Sequence, residues 1–197
     1  MFTLLMEEEV AAIEQRRAAR PPEPGAVVFA GSSSVRLWDL ERSFPGAGYV
    51  NAGFGGSVIA DSTHFAPRLL APFKPAAVVF YAGDNDIAKG ATPAAVLADF
   101  KGFVAAARAD NPVCRVLFVA VKPSLARWKL FDVQRKANAL VKGYCEREQG
   151  LTFVDVVPLM LGADGTPRPE LFVKDGLYLS PKGYELWAAE VRKALLR

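Results

Sequence analysis

Val27-Val28-Phe29-Ala30-Gly31-Ser32-Ser33-Ser34 is the stretch whose reading decides the fold. Its first four residues are apolar without alternation, the pattern of a strand buried on both faces of a parallel sheet. Gly31 then permits a sharp turn where a side chain would clash. The three hydroxyls follow at the carboxyl end of that strand, where open α/β sheets place their ligands. Two readings of Ser33 fit the position: a nucleophile presented by the turn, or a serine in a loop whose hydroxyls cap the next helix.

Working outward, the same apolar run followed by a turn recurs. Residues 49–52 read as a short strand that ends in Gly53-Phe54-Gly55-Gly56, and 76–82 as a buried strand that ends in Gly83-Asp84-Asn85-Asp86. Residues 115–121 and 151–157 supply a fourth and a fifth strand. Helical patterns lie between them: over 58–70, from the Thr92-Pro93 cap to Ala109, over 127–148, and from the Ser180-Pro181 cap to Leu196. Residues 158–179 are irregular, at a length where loops tend to be functional. Strands alternating with helices predict one parallel sheet covered on both faces. Ahead of it, residues 7–19 form an amphipathic helix with acids early and Arg16 and Arg17 late, as the helix dipole favours. Pro21-Pro22-Glu23-Pro24-Gly25 stops that helix. Residues 1–24 are therefore expected to be a helix packed on a single domain spanning 25–197.

Composition removes several function classes. The net charge is only +3 and no Lys/Arg block stands out, so no nucleic-acid footprint is expected. No apolar run approaches the roughly 20 residues of a membrane span, and the first twenty residues lack the pattern of a secretory signal. A cytoplasmic protein is the expectation. A single histidine, His64, argues against a His-built metal site. Cys114 and Cys145 have neither metal-ligand nor redox spacing and read as buried free thiols. Trp38 reads as a packing residue, and Lys122 and Lys174, near strand or loop ends, as solvated lysines.

A nucleophilic serine needs a base beside it and a place for the developing oxyanion. The backbone N–H groups of Ser33 and Gly56 and the side-chain amide of Asn85 are placed to supply the second. In order along the chain, Gly31-Ser32-Ser33-Ser34, Asn51-Ala52-Gly53-Phe54-Gly55-Gly56 and Gly83-Asp84-Asn85-Asp86 resemble the first three blocks of the SGNH (GDSL-like) hydrolase superfamily. They most resemble its bacterial branch with Gly-Ser-Ser-Ser in place of Gly-Asp-Ser. The likeness runs from about Gly25 to Tyr184 and includes the Arg-Pro-Glu-Leu-Phe run at 168–172. It implies a flavodoxin-like three-layer α/β/α sandwich around a five-stranded parallel sheet. It also implies Ser33 as nucleophile, with Gly56 and Asn85 joining the Ser33 amide in the oxyanion hole. The substrates implied are small-molecule carboxylic esters, often acetyl or short-chain groups on sugars or lipids, with no metal or other cofactor.

The fourth block departs from the family. Where the resemblance calls for Asp-x-x-His, with histidine as base and aspartate as its orienter, the chain reads Asp175-Gly176-Leu177-Tyr178. A phenol ordinarily ionises near a pH of about 10 and is a poor acceptor for a serine proton at neutral pH. His64 lies eight residues past Gly56, about 12 Å along a helix axis, too far to substitute. Asp84 and Asp86 are too acidic to serve as bases unless burial raises them, and Asp86 reads as a cap for the segment that follows it. The expectation is an SGNH-type serine esterase working through Ser33, with a rate strongly reduced by Tyr178 in place of the partner of Asp175. The alternative is a non-catalytic acyl- or carbohydrate-binding relative, in which the phenol stacks on or hydrogen-bonds a sugar. A nucleotide site is disfavoured, because the glycine run lacks dinucleotide spacing and no phosphate-loop lysine follows.

Overall fold

Among the residues described in the computed structural model, 4–19 and 23–197, five strands form one all-parallel sheet. They are β1 (Val27–Gly31), β2 (Val50–Gly53), β3 (Ala77–Tyr81), β4 (Arg115–Val119) and β5 (Leu151–Val154), in the order β2-β1-β3-β4-β5. The Pro21-Pro22 pair that the sequence reads as a helix stop lies outside the described residues.

The alternation of side chains along each strand sorts the core into two layers. Val28, Ala30, Val78, Phe80, Val116 and Phe118 face α1 (Leu4–Ala19), α4 (Ile59–Leu69), α6 (Pro93–Ala107) and α7 (Phe131–Cys145). Phe29, Val79, Tyr81, Leu117 and Val119 face the other way, toward the short α2 (Ser33–Arg36) and α3 (Leu40–Ser43) and the long α9 (Pro181–Leu195). With helices on both faces there is no solvated side, which is why the strands read as continuous apolar runs. The fold is thus the three-layer α/β/α arrangement. On the second face Trp38 is buried between Phe29 and Trp187, with ring centroids 5.2 and 5.6 Å away, and its indole N–H reaches Ser43 Oγ at 2.8 Å. Cys114 and Cys145 are buried free thiols, and Cys114 Sγ donates to the Arg115 carbonyl at 3.5 Å.

Gly31 sits opposite Gly53 on one side and Tyr81 on the other. Its φ of 127° lies where side chains are strained, and a Cβ there would run into the Tyr81 carbonyl. The close approach of β1 to β3 at this point requires glycine.

Three elements differ from the sequence expectation. The helix expected over 127–148 begins only at Phe131, after a 3-10 turn at Trp128–Leu130, and ends at Cys145; Arg127 is instead drawn toward the loop after β3. The Gly83–Asp86 segment is not merely a turn, because Asp84–Ala88 closes into a one-turn helix, α5. The irregular stretch over 158–179 contains the end of a short helix, α8 (Val157–Met160), and a 3-10 turn at Pro169–Leu171.

Candidate active site

In a parallel sheet of order 2-1-3-4-5 the strand order reverses between β1 and β3, and a crevice opens outside their carboxyl ends. The Ser33 and Asn85 loops flank that crevice. The Ser32 N–H donates to the Tyr81 carbonyl at 3.0 Å, which stitches the serine turn to the last residue of β3. Ser32 holds the cap position of α2, yet its side chain makes no capping bond. Ser33 opens the helix, so its N–H has no intrahelical acceptor, and it finds none elsewhere among the described residues. Its Oγ likewise makes no hydrogen bond among them.

After β2 the chain turns through Gly55 and Gly56, the latter at φ 69° and exposed. Only a residue tolerant of the left-handed region fits that turn position. The Gly56 N–H also has no acceptor among the described residues. Ser57 closes the turn by donating from Oγ to the Phe54 carbonyl at 3.2 Å.

Asn85 joins the two loops. Its Nδ2 donates to the Ser57 carbonyl at 3.0 Å, while its Oδ1 accepts from both terminal nitrogens of Arg127 at 3.1 Å each. Flipping the amide would set its NH2 against the guanidinium, donor against donor, so Arg127 fixes which way Asn85 points. The second Nδ2 hydrogen is left without an acceptor among the described residues.

Beneath Asn85 lies a buried polar cluster. The Asp84 carboxylate takes Arg127 at 2.9 Å, Gln134 Nε2 at 3.0 Å and Lys122 Nζ at 3.5 Å. Lys122 is 1% exposed and also donates to the Tyr81 hydroxyl at 3.1 Å, which corrects the expectation of a solvated lysine; Lys174 is exposed as expected. Burial pushes the Lys122 ammonium below its ordinary value, with the Asp84 charge opposing that shift. Asp84 is thus fully engaged and is no spare base. Asp86 is also reassigned. It is buried, and its Oδ1 accepts the Ile59 N–H at 3.0 Å, so it caps the start of α4 across the crevice, not its own segment. Burial raises the Asp86 carboxyl above its ordinary value.

The remaining loop, between α8 and α9, is closed by the Phe172–Leu179 bridge. Asp175 Oδ1 accepts the N–H groups of Leu177 and Tyr178 at 2.8 and 3.0 Å, so the carboxylate holds the turn together. Tyr178 is half-buried and its hydroxyl makes no hydrogen bond among the described residues. The loop is tied to the β4 side by Ala126 N–H donating to Gly176 O at 3.0 Å. The base of α9 is tied to the serine turn by the Tyr184 hydroxyl donating to Ser34 O at 2.8 Å.

These bonds link the loops in a ring: Ser57 to Asn85, Asn85 to Arg127, neighbouring Ala126 to Gly176, and Tyr184 to Ser34. The ring brings the loops of Ser33, Gly56, Asn85 and Asp175–Tyr178 to one edge of the sheet. It brings no imidazole there, since His64 is exposed on α4, edge-on to Phe65 at 4.8 Å. Among the described residues no cluster of His, Cys, Asp or Glu is suited to hold a metal. Sequence reasoning missed Arg127 and misjudged Lys122. The available signal was position: Lys122 follows an unbroken apolar run at the same end of the sheet as Asp84, where a buried base and acid can pair. Beside the ring, a groove of about 480 Å³ runs between α3 and α9, lined in part by Leu37, Arg42, Leu179, Tyr184 and Arg192. None of the candidate site residues lines it.

The profile of the GDSL-like Lipase/Acylhydrolase family matches residues 27–186. No curated protein matches the chain. Among solved structures, a candidate platelet activating factor from Streptococcus pneumonia superposes with a TM-score of 0.86 at 18% identity, covering 97% of this chain and 92% of that one. A GDSL-like lipase from Bacteroides thetaiotaomicron gives 0.79 at 22% identity, covering 95% and 97%. A candidate acylhydrolase from Bacteroides fragilis gives 0.78 at 25% identity, covering 92% and 95%.

Proposed function

Because the chain belongs to the GDSL-like lipase/acylhydrolase family, we propose that it is a serine esterase of small carboxylic esters whose turnover is slowed by Tyr178. The observation that carries this is that three donors, the N–H groups of Ser33 and Gly56 and the second Asn85 amide hydrogen, have no acceptor among the described residues and stand on loops that follow β1, β2 and β3, the last two joined by the Asn85–Ser57 bond. Such fixed donors stabilise an oxyanion without reorganising during the reaction. The charge of Arg127 on Asn85 Oδ1 polarises the amide further in the same sense.

The chemistry runs in two steps. Ser33 Oγ attacks the ester carbonyl and the alcohol leaves, giving an acyl-serine; water then releases the acid. Each step needs a group that takes a proton. The Ser33 hydroxyl has no such partner among the described residues, and a phenol ordinarily holds its own proton at neutral pH. The proton must pass to solvent, so the attack is slow. The Tyr178 hydroxyl, without a hydrogen bond among the described residues, also favours a second reading, a relative that binds an acyl or carbohydrate ligand and does not turn it over.

Hydrolysis of p-nitrophenyl acetate by the protein, by Ser33→Ala and by Tyr178→His separates the two. Restoring the imidazole is expected to raise kcat by on the order of a thousandfold, as removal of a general base from a triad lowers it. Ser33→Ala should abolish the gain when combined with it. If Tyr178→His stays at the Ser33→Ala background, the esterase reading falls and ligand binding replaces it.

A further inference from the structure

Helix α1 lies outside the family-matched residues, yet its side chains reach the glycine loop. Glu9 Oε2 accepts the Gly55 N–H at 2.6 Å, and its Oε1 accepts from Arg36 at 3.0 Å. Arg36 closes α2, the helix that Ser33 opens. One carboxylate therefore bridges the loop that carries the Gly56 N–H and the helix that carries the Ser33 N–H. The fit is close: a Cβ on Gly55 would lie 3.0 Å from Glu9 Oε1 and 3.3 Å from the Arg36 guanidinium carbon. The Met6 methyl approaches Gly56, 3.9 Å from where its Cβ would stand. The helix itself is held to α4 by Arg68, which pairs with Glu7 and Glu14 at 2.7 Å each, and by Arg17 donating to the Arg68 carbonyl at 2.7 Å.

From this geometry we infer that α1 is a working part of the active site, in which Glu9 is a positioning residue that holds the Gly55–Gly56 turn in its donor geometry. The inference rests on the esterase reading above for the role of Gly56, but not for the clamp itself. Gly56 follows directly on the clamped amide, and the peptide between Gly55 and Gly56 carries the donor N–H. Rotation of that peptide would turn the N–H away and present a carbonyl oxygen to the developing negative charge. Two glycines in succession give the turn little intrinsic resistance to such rotation. A carboxylate anchored to α2 fixes the preceding Phe54–Gly55 peptide, and with it the position and direction from which the Gly55–Gly56 peptide starts and the spacing between the two backbone donors. Misplacing a catalytic group by about 1 Å costs on the order of a hundredfold.

The test uses the full chain. Backbone amide exchange at Gly55 and Gly56 is followed by NMR in the parent, Glu9→Gln and Glu9→Ala, and kcat and KM for p-nitrophenyl acetate are measured with each change placed on Tyr178→His. Glu9→Ala is expected to accelerate Gly55 exchange at least tenfold and lower kcat by about tenfold to a hundredfold with KM within about twofold. Glu9→Gln keeps an acceptor for Gly55 and should recover most of the kcat, which a merely stabilising role of the charge would not predict. Unchanged Gly55 exchange in Glu9→Ala, or an unchanged kcat on an active Tyr178→His protein, overturns the inference. If Tyr178→His is no faster than Ser33→Ala while Gly55 exchange still responds to Glu9→Ala, the clamp stands and the esterase reading is what fails.

Discussion

At the scale of single residues, the site depends on a buried group of charges that the reaction itself never touches. Asp84, Lys122 and Arg127 would be costly to bury separately; together with Gln134 Nε2 they pair around the Asp84 carboxylate, although Gln134 Oε1 keeps no partner among the described residues, and they leave Asn85 with a single orientation. Arg127 does two jobs, pairing with Asp84 and gripping Asn85 Oδ1 with its fork. Arg127→Gln on the Tyr178→His protein is therefore expected to lower kcat by on the order of tenfold. Its unfolding free energy in urea should fall by about 1–3 kcal/mol, the cost of leaving a buried partner less satisfied. Arg127→Lys separates the two jobs. An ammonium restores the charge beside Asp84 but not the planar two-point grip, so stability should return while kcat stays low. Equal recovery of both would mean that the orientation of Asn85 does not depend on the fork.

At the scale of elements, the sheet was legible because its physics is local and repetitive. The continuous apolar runs at 27–30, 76–82 and 116–121 have the pattern of strands buried on both faces, and Gly31, Gly83 and Lys122-Pro123 end them. What was not legible depends on residues far apart in sequence. Lys122 looks like any lysine at a strand end until β3 sets Asp84 and Tyr81 beside it. Asp86 looks like a local cap until α4 presents the unpaired Ile59 N–H to it. Helix α5 was hidden because Gly83-Asp84-Asn85-Asp86 reads equally as a turn. The positions of Ser33, Gly56 and Asn85 at one edge followed from strand order and motif together; the clamps by Arg127 and Glu9 did not, since nothing at those positions signals a loop more than 25 residues away. The junction that all of this rests on is the close approach of β1 to β3. Gly31→Ala should break it, combining a strained φ with a clash against the Tyr81 carbonyl. A loss above about 3 kcal/mol in denaturant unfolding is expected, together with loss of the Ser33 turn. A loss within about 1 kcal/mol would mean that the two strands part easily, and the rigidity argued for the site would go with it.

At the scale of the whole molecule, two thiols report on the core as a unit. Cys114 lies ahead of β4 and Cys145 at the end of α7, both in the layer shared by α1, α4, α6 and α7. Burial pushes Cys114 up to about 11 and Cys145 up to about 12, against an ordinary value of 9.0. The sign of the linkage follows. In the unfolded chain each thiol loses its proton near its ordinary value, whereas the folded protein keeps it, so unfolding releases protons as the pH passes 9. The folded state is then fully favoured by these groups below pH 9, and its advantage shrinks from pH 9 upward until the folded thiols themselves ionise near 11 to 12. Urea midpoints measured at pH 8, 9.5 and 10.5 should therefore fall with rising pH. In Cys114→Ala/Cys145→Ala the curve should start lower, because buried volume is lost, but decline less steeply over the same interval. The buried tyrosines, Tyr81 and Tyr184, whose hydroxyls burial also pushes up, retain part of the slope in both proteins. Parallel slopes for the two proteins would show that the thiols ionise as freely in the folded core as in the unfolded chain. A core that open to hydroxide could not hold Lys122 and Asp84 away from water, and the fixed orientation of Asn85 would lose its support from below.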